Sequence, residues 1–473
     1  MPPPLKPSVW YIAAGYKLPA GIEAYLLHYA TELRNYGFDT RVIVFEPLPK
    51  VPHRFLVALR ERGIPIESLY ERVGWQARIA TVATYLPWRI RKTGKGTLTL
   101  ALSPQGRGNS SSPSPLRGEG GGEGGPVAQY GSLLHHWTKR LAVLELKRMI
   151  AREEPDIIHV KGRIITEAWA VLPRERTLFH VATSGQRDAS WSDAEVEVFR
   201  RSIQGCARVL APGTLVAETF KKEFGITRPV DMIFTMAPDE RAPEAQETTD
   251  HRLQTADFNV GAALRGRSDV SSPPKSDVCS LKSAVSSLRF GILCRFSLEK
   301  GIPVILEALK ILDARGVPLR FTFVGQGELE RVIREWSKRE EWTHVTVIPV
   351  TSAARDLREM DVFVHPSSSE AMPVSIVEAL MQGLPCIATP VGGIPDLIRD
   401  GTEGALVPVG DAVALADAMA RFTTLSSGEF TSFQQRARAR YEEVCRPEIV
   451  RAEVEGIYRA MMGGVERPKR TPE

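Results

Sequence analysis

The chain has 473 residues, more than one hydrophobic core normally organises, so two domains are the first expectation. Its hydrophobic content of 43% and charged content of 25% are ordinary for a soluble globular protein. The net charge of +5 is a mild excess that is compatible with an anionic ligand, and no common nucleic-acid-binding signature accompanies it, so we expect no nucleic acid partner.

The cysteines and the apolar stretches indicate in which cellular compartment the protein is expected. Five cysteines are scattered without metal-ligand spacing, which indicates neither a metal site nor a disulfide framework and favours a reducing cytoplasm. The start MPPPLKPSVWYI does not resemble a signal peptide, and no stretch approaches about 18 uninterrupted apolar residues, so we expect no transmembrane helix. Trp75 to Lys95 mixes aromatic and basic residues, which suits a peripheral membrane contact or, equally, a packed helix with a basic edge.

Strands and helical stretches alternate through the first half. A strand at Val9–Ala13 precedes a helix that Gly21 opens and Gly37 ends. The later predicted elements are strands at Thr40–Phe45, Asp156–Val160, Thr177–Ala182 and Arg208–Ala211, and helices near Trp137–Arg152 and Leu215–Phe224. This order predicts a parallel, doubly wound sheet in an N-terminal domain over residues 1–238.

Two polar segments interrupt the alternation. Residues 93–125 are rich in Gly, Ser and Pro and nearly free of large apolar side chains, which predicts a mobile insertion. Residues 239–287 are similarly polar and stand where an interdomain linker is needed, although they are longer than a linker requires. We expect no catalytic residue in either segment.

The second half repeats the pattern. Its predicted strands are Arg289–Leu293, Leu319–Val324, Val345–Ile348, Asp361–His365 and Cys386–Thr389, and its helices include Ile302–Leu312, Val374–Gln382 and Ile394–Arg399. This predicts a second Rossmann-like domain over 288–445, followed by a C-terminal helix and tail over 446–473. The fold class is therefore α/β, with two doubly wound domains facing across a cleft where ligands bind at the carboxyl ends of the strands.

The segment HPSSSEAMPVSIVEAL carries two acids around a helix start. Pro373 suits the first helical position and disfavours helical angles at Met372, so Glu370 is expected in a loop and Glu378 on the second turn of the helix. A helix start presents unpaired N–H groups and a positive dipole end, which suits a phosphate. A carboxylate on either side could accept hydrogen bonds from sugar hydroxyls.

An ordinary solvent-facing helix offers an alternative interpretation of the same residues. Ser375, Glu378 and Gln382 are spaced as a polar stripe would be. The rest of the helix is apolar on most sides, so the stripe could instead face a cleft. The residues alone leave both interpretations open.

The wider segment PSSSEAMPVSIVEALMQGLPCIATPVGGIPDL resembles the donor-binding core of family 4 retaining glycosyltransferases, which have the GT-B fold. Glu370 and Glu378 match the two acids of that family's E-x7-E motif. Upstream, CRFSLEKGIPVILEAL resembles the strand-turn-helix in which an Arg and a Lys stand five residues apart, here Arg295 and Lys300. Two cations there could neutralise a diphosphate without a metal, although a lone surface Arg or Lys is more often only a solvated charge.

The N-terminal half matches the family less closely. KLPAGIEAYLLHYATELRNYGF resembles the family's glycine loop, with Gly21 present and Ala20 in place of its partner. Where the family commonly has a His after a strand, the chain reads HVATSGQ, which leaves Ser184 or the displaced His180. The family's Asn-Gly before the linker is replaced by Thr235-Met236-Ala237.

The resemblance implies transfer of a sugar from a nucleotide-diphosphate donor with retention of configuration, without a cofactor or a metal. Arg295 and Lys300 would stabilise the departing diphosphate and Glu370 would hold sugar hydroxyls, which makes these three the catalytic candidates. Glu378 would bind the ribose, and donor-binding positions at the two helix starts would be Gly21, Ala371, Met372, Pro373 and Val374. The acceptor, whether glycan, lipid or small molecule, is not specified.

Two other functions fit the same residues. A catalytically silent GT-B protein that only binds ligand would explain the altered N-terminal motifs. A GT-B epimerase or phosphorylase would share the fold, although no pyridoxal-binding lysine is evident for a phosphorylase. The product formed from a nucleotide sugar distinguishes all three.

Overall fold

The computed structural model describes residues 6–13, 20–48, 54–73, 89–92, 98–101, 126–187, 190–237, 288–339, 344–350 and 352–463. The predicted insertion at 93–125 lies outside these residues except for 98–101, and the predicted membrane-contact segment except for 89–92. The polar segment 239–287 lies wholly outside them.

Among the described residues of the first half, seven parallel strands form one sheet, the N-terminal sheet, in the order β3-β2-β1-β6-β7-β8-β9. The strands are β1 Ser8–Ala13, β2 Asp39–Val44, β3 Ile66–Ser68, β6 Ile157–Lys161, β7 Thr177–His180, β8 Arg208–Ala211 and β9 Asp231–Met232. A separate antiparallel pair consists of β4 Arg89–Lys92 and β5 Leu98–Ala101.

Helices connect these strands, and local signals set several of their ends. The helices are α1 Ala20–Asn35, α2 Arg54–Glu61, α3 Leu69–Arg72, α4 Pro126–Glu153, α5 Asp193–Gly205 and α6 Thr214–Phe224. Ser192 and Glu195 form a capping box at the start of α5. Gly225, in the left-handed conformation with φ 62°, ends α6.

In the second half, six described strands form the parallel C-terminal sheet in the order β12-β11-β10-β13-β14-β15. They are β10 Arg289–Arg295, β11 Arg320–Gln326, β12 Val345–Ile348, β13 Val362–His365, β14 Cys386–Ala388 and β15 Gly404–Leu406. The accompanying helices are α7 Ile302–Ala314, α8 Glu330–Arg339, α9 Ala353–Arg358, α10 Val374–Gln382, α11 Ile394–Leu397, α12 Ala412–Thr423, α13 Ser427–Val444 and α14 Pro447–Gly463. Within the part of the chain that the structure describes, every helix is too short or too polar to cross a bilayer.

The predicted fold class is confirmed: both halves are α/β units built on a doubly wound parallel sheet. One hydrophobic cluster runs through both units and includes Tyr11 and Leu33 from the first and Ile376 and Tyr441 from the second. Each sheet packs a further cluster on its other face. The two units therefore share apolar contacts instead of being joined only by a chain segment.

The last helix, α14, crosses back to the N-terminal sheet. Its Tyr458 is fully buried, and its hydroxyl oxygen lies 2.6 Å from Nδ1 of His159 on β6. The same hydroxyl donates to that of Tyr11 on β1 at 3.4 Å. Because these groups are buried, their hydrogen bonds fix the helix in one position on the sheet.

Tyr458→Phe should therefore lower the free energy of unfolding by about 1–3 kcal/mol, since it leaves a buried histidine nitrogen without its partner. Tyr36→Phe is the control, because the Tyr36 side chain is half exposed. Denaturant unfolding curves of the two variants measure the difference. Equal free energies of unfolding for Tyr458→Phe and Tyr36→Phe would mean that the Tyr458 hydroxyl does not stabilise the packing of α14 on the sheet.

Candidate active site

The topology of the C-terminal sheet places two loops side by side. Strand β10 lies between β11 and β13, so the connections leaving β10 and β13 diverge to opposite sides at their carboxyl ends. Ligands of open α/β sheets bind in the crevice at such a switch point. Here it is flanked by residues 296–301 after β10, called the Lys300 turn, and residues 366–373 after β13, called the Glu370 loop.

Backbone contacts hold these two loops together. Gly301 has φ 70°, and a Cβ on it would lie 2.1 Å from the carbonyl oxygen of Pro366. Glycine is therefore required both for the left-handed conformation and for the close approach. The N–H of Ser368 also donates to the carbonyl oxygen of Glu299 at 2.8 Å.

This approach brings Lys300 and Glu370 into a largely buried ion pair. Lys300 Nζ lies 2.6 Å from Glu370 Oε1, and the two side chains are 19% and 9% exposed. His365, the last residue of β13, contributes a second bond from Nε2 to the same oxygen at 2.7 Å. Lys300 and Glu370 were predicted from the sequence as site residues, but His365 was missed. Its position at a strand end, five residues before Glu370, could have indicated it.

The ion pair controls the protonation of Glu370. Burial alone would raise the pKa of this carboxyl, but the hydrogen bond and charge of His365, together with the charge of Lys300, outweigh it. They lower the pKa from its ordinary value of 4.5 to about 2. Glu370 is therefore a carboxylate at neutral pH and accepts hydrogen bonds without donating them.

Arg295 is placed differently from Lys300. Its side chain is 70% exposed and pairs with Glu299 Oε1 at 2.7 Å. It borders an open cavity whose other lining residues are Phe296, Ser297, Leu298, Glu299 and Glu328. The structure thus joins Lys300 to Glu370 but pairs Arg295 with a neighbour on its own turn, where a ligand anion would have to displace Glu299.

Helix α10 begins at the end of the Glu370 loop. Pro373 is its N-cap, with φ −72° and ψ 118°, so the first helical residue is Val374. From the sequence, Pro373 was predicted at the first helical position, one residue later than the N-cap position it occupies. Pro373 carries no N–H. Of the four residues predicted to bind the donor at this helix start, only Ala371, Met372 and Val374 can therefore donate a backbone hydrogen bond. The side chain of Met372 is buried, and its sulfur accepts a hydrogen bond from the N–H of Thr235 at 3.2 Å.

Glu378 lies on the second turn of α10 and is only 5% exposed. The interpretation of this residue as part of a solvent-facing stripe is therefore wrong. Its neighbours Ile376, Val377, Ala379 and Leu380 are buried as well, so α10 is enclosed on nearly all sides. A carboxylate in such a position requires compensating polar partners.

The positions predicted in the N-terminal half are only partly described. Gly21 is the second residue of α1, and residues 14–19 before it lie outside the described part. His180 ends β7 and is buried against His159, with ring centroids 5.5 Å apart, whereas Ser184 is half-buried in the following loop. Lys161, which sequence reasoning missed, ends β6 beside His180, and burial lowers its pKa well below the ordinary 10.5.

The segment Thr235-Met236-Ala237 is buried where the two units meet. The hydroxyl of Tyr29 on α1 donates to the carbonyl oxygen of Phe234 at 2.7 Å, and the hydroxyl of Tyr441 on α13 donates to that of Ala237 at 2.8 Å. The replacement of the family's Asn-Gly therefore falls at a junction between the units. Among the described residues, no group of three or more His, Cys, Asp or Glu side chains could hold a metal ion.

Two doubly wound parallel sheets, with polar side chains gathered at the switch point of the second, are the arrangement expected of a GT-B protein, and solved structures provide the test. A glycosyltransferase from Rickettsia africae matches over 97% of this chain and 100% of its own, with a TM-score of 0.63 at 13% identity. Anabaena HepE in complex with UDP-glucose matches over 96% and 99%, with a TM-score of 0.59 at 15% identity. The predicted GT-B fold is confirmed.

Sequence comparison finds relatives mainly for the second half of the chain. Residues 287–424 match the family model of glycosyl transferases group 1. WcaL of Escherichia coli K12, named for colanic acid biosynthesis, is 29% identical over 38% of this chain and 47% of its own. A D-inositol 3-phosphate glycosyltransferase from Paenarthrobacter aurescens is 27% identical over 60% and 67%. The chain thus spans less than half the length of WcaL.

The low pKa of Glu370 predicts a pH-dependent contribution to stability. A carboxyl whose pKa is lowered on folding stabilises the protein fully above its unfolded pKa, and loses that contribution as the pH falls towards the folded value. Glu370→Gln should therefore cost up to about 3 kcal/mol of unfolding free energy at pH 7. The difference from the parent should shrink between about pH 5 and pH 2.

Denaturant unfolding at several pH values measures this difference. Glu299→Gln is the matched control, because its side chain is 47% exposed and its ion pair with Arg295 is on the surface. Its effect should stay within about 1 kcal/mol. A cost for Glu370→Gln that did not vary with pH would contradict the ion-pair assignment.

Proposed function

We propose that the protein is a retaining glycosyltransferase of family 4 that transfers a sugar from a nucleotide-diphosphate donor to an acceptor hydroxyl. The observation that carries this proposal is the Lys300–Glu370 pair at the switch point, next to the start of α10. A cation beside the first N–H groups of a helix suits a diphosphate, and a fixed carboxylate suits sugar hydroxyls.

The charges of these residues indicate which part of the donor each would bind. As the bond to the sugar breaks, negative charge grows on the diphosphate, and Lys300 with Arg295 would stabilise it. Both bonds that Glu370 accepts from described residues fall on Oε1, which leaves Oε2 to accept hydroxyls of the transferred sugar. We assign Glu378 to the ribose and the N–H groups of Ala371 and Val374 to the phosphates.

The acceptor side belongs to the N-terminal sheet. Its switch point lies between β1 and β6, where Lys161 ends β6. WcaL and the Erwinia amylovora protein AmsK are named for colanic acid and amylovoran biosynthesis. We therefore infer that the acceptor is a growing polysaccharide or its glycolipid precursor, and that the enzyme works in the cytoplasm without a cofactor or a metal. Peripheral membrane contact stays a prediction.

A thermal-shift screen against UDP-, GDP-, ADP- and dTDP-sugars tests the donor site. A matching donor at about 100 times its dissociation constant should add about 2.7 kcal/mol of stability and raise Tm. Glu378→Gln should reduce that shift. Glu403→Gln should retain it, because Glu403 is equally buried in the same domain but bonds to Arg399.

The product formed from the matching donor identifies the reaction. Transfer to an oligosaccharide or glycolipid acceptor with the donor's anomeric configuration, read by NMR, is the expected result. Binding without turnover would indicate a silent binding protein, and an isomerised nucleotide sugar would indicate an epimerase. A transferred sugar of inverted configuration would exclude the retaining mechanism.

A further inference from the structure

Helix α6 of the N-terminal unit takes its N-terminal cap from the other unit. The residue before the helix is Gly213, which has no side chain to supply the bond that a helix start requires. Asp396 on α11 supplies it: Oδ2 accepts the N–H of Thr214 at 2.7 Å, and Oδ1 accepts its hydroxyl at 2.7 Å. These residues are 182 positions apart in sequence.

Two glycines allow the units to meet at this point. A Cβ on Gly213 would lie 2.5 Å from Cα of Gly393, and a Cβ on Gly393 would lie 2.6 Å from the carbonyl oxygen of Pro212. Any side chain at either position would push the backbones apart. The close approach is what lets the short Asp396 side chain reach Thr214.

The contact continues into the candidate active site. The N–H of Gly393 donates to the carbonyl oxygen of Ala371 at 2.6 Å. Gly392 has φ 58°, and a Cβ on it would lie 2.2 Å from the carbonyl oxygen of Glu370. The turn that holds Asp396 therefore packs directly against the backbone of the Glu370 loop.

We propose that Asp396 is an interdomain latch and a positioning residue, which fixes the Glu370 loop relative to the N-terminal unit by capping α6. The part of this proposal that concerns catalysis rests on the proposed function. In a transferase of this kind the donor sugar and the acceptor hydroxyl lie on different units, so reaction depends on the distance between them. The residues assigned to the donor under the proposed function all lie on the C-terminal unit, so donor affinity should depend mainly on that unit.

Hydrogen exchange measured by mass spectrometry on Asp396→Ala tests the latch without any activity. Loss of an N-cap should speed exchange of the amides at 214–217 about fivefold, and the Glu370 loop should exchange faster as well. Asp396→Asn, which keeps one acceptor oxygen, should fall between parent and alanine. Asp411→Ala is the control, because Asp411 caps α12 within its own unit by accepting from the N–H of Ala414 at 2.9 Å.

The control should leave exchange at 214–217 unchanged. If Asp396→Ala also left it unchanged, the latch would be refuted. If 214–217 responded and the Glu370 loop did not, the positioning role would be refuted.

Kinetics then test the consequence for catalysis. In Asp396→Ala, kcat should fall about fivefold while the dissociation constant of UDP-glucose, or of whichever nucleotide sugar the screen selects, stays within about twofold. Asp396→Asn should have a kcat between those of the parent and Asp396→Ala. The control variant Asp411→Ala should keep the kcat of the parent. An unchanged kcat would overturn the positioning role. A parent that transfers no sugar would refute the proposed function, while the exchange result would still decide the latch.

Discussion

The buried ion pair between Lys300 and Glu370 is the interaction on which the candidate site depends. Removing two charges from water is costly, and the cost is offset only when the geometry is close and further hydrogen bonds complete the site. Here the distance is 2.6 Å and His365 provides the further bond. The pair forms only because Gly301 lets the Lys300 turn touch the Glu370 loop, so a glycine without chemistry of its own sets the position of both charges.

The second constraint is that the two units are tied together at several points. Helix α14 returns to the N-terminal sheet through Tyr458, the Thr235–Ala237 segment is bonded to Tyr441, and Asp396 caps α6. Each of these contacts is polar, and Tyr458 and Tyr441 both belong to the shared hydrophobic cluster. The relative position of the two units is therefore set by polar contacts at three separate points.

Much of the fold could be predicted because its signals are local. The predicted bounds of β8, β12 and α10 agree with the structure, since each is an uninterrupted apolar or periodic run bounded by glycine, proline or polar residues. The short strands β3 and β15 were missed, because three partly exposed residues carry no periodicity and, unlike the fully buried β14, form no apolar run. The site divided in the same way: Lys300 and Glu370 were found through motif spacing, whereas the bond from His365, the exposure of Arg295 and the cap at Asp396 depend on three-dimensional packing that motif spacing does not show.

The central prediction for this site is that Lys300 binds a diphosphate. Calorimetric titration of UDP, GDP, ADP and dTDP into the parent, Lys300→Gln and Lys338→Gln measures this directly. We predict that at least one diphosphate binds the parent and that Lys300→Gln weakens it about tenfold or more, as expected for the loss of a charge-assisted hydrogen bond. Lys338, which is exposed on α8, should be replaceable with little effect. Equal affinity of the parent and Lys300→Gln, or no binding of any of the four diphosphates to the parent, would contradict the account.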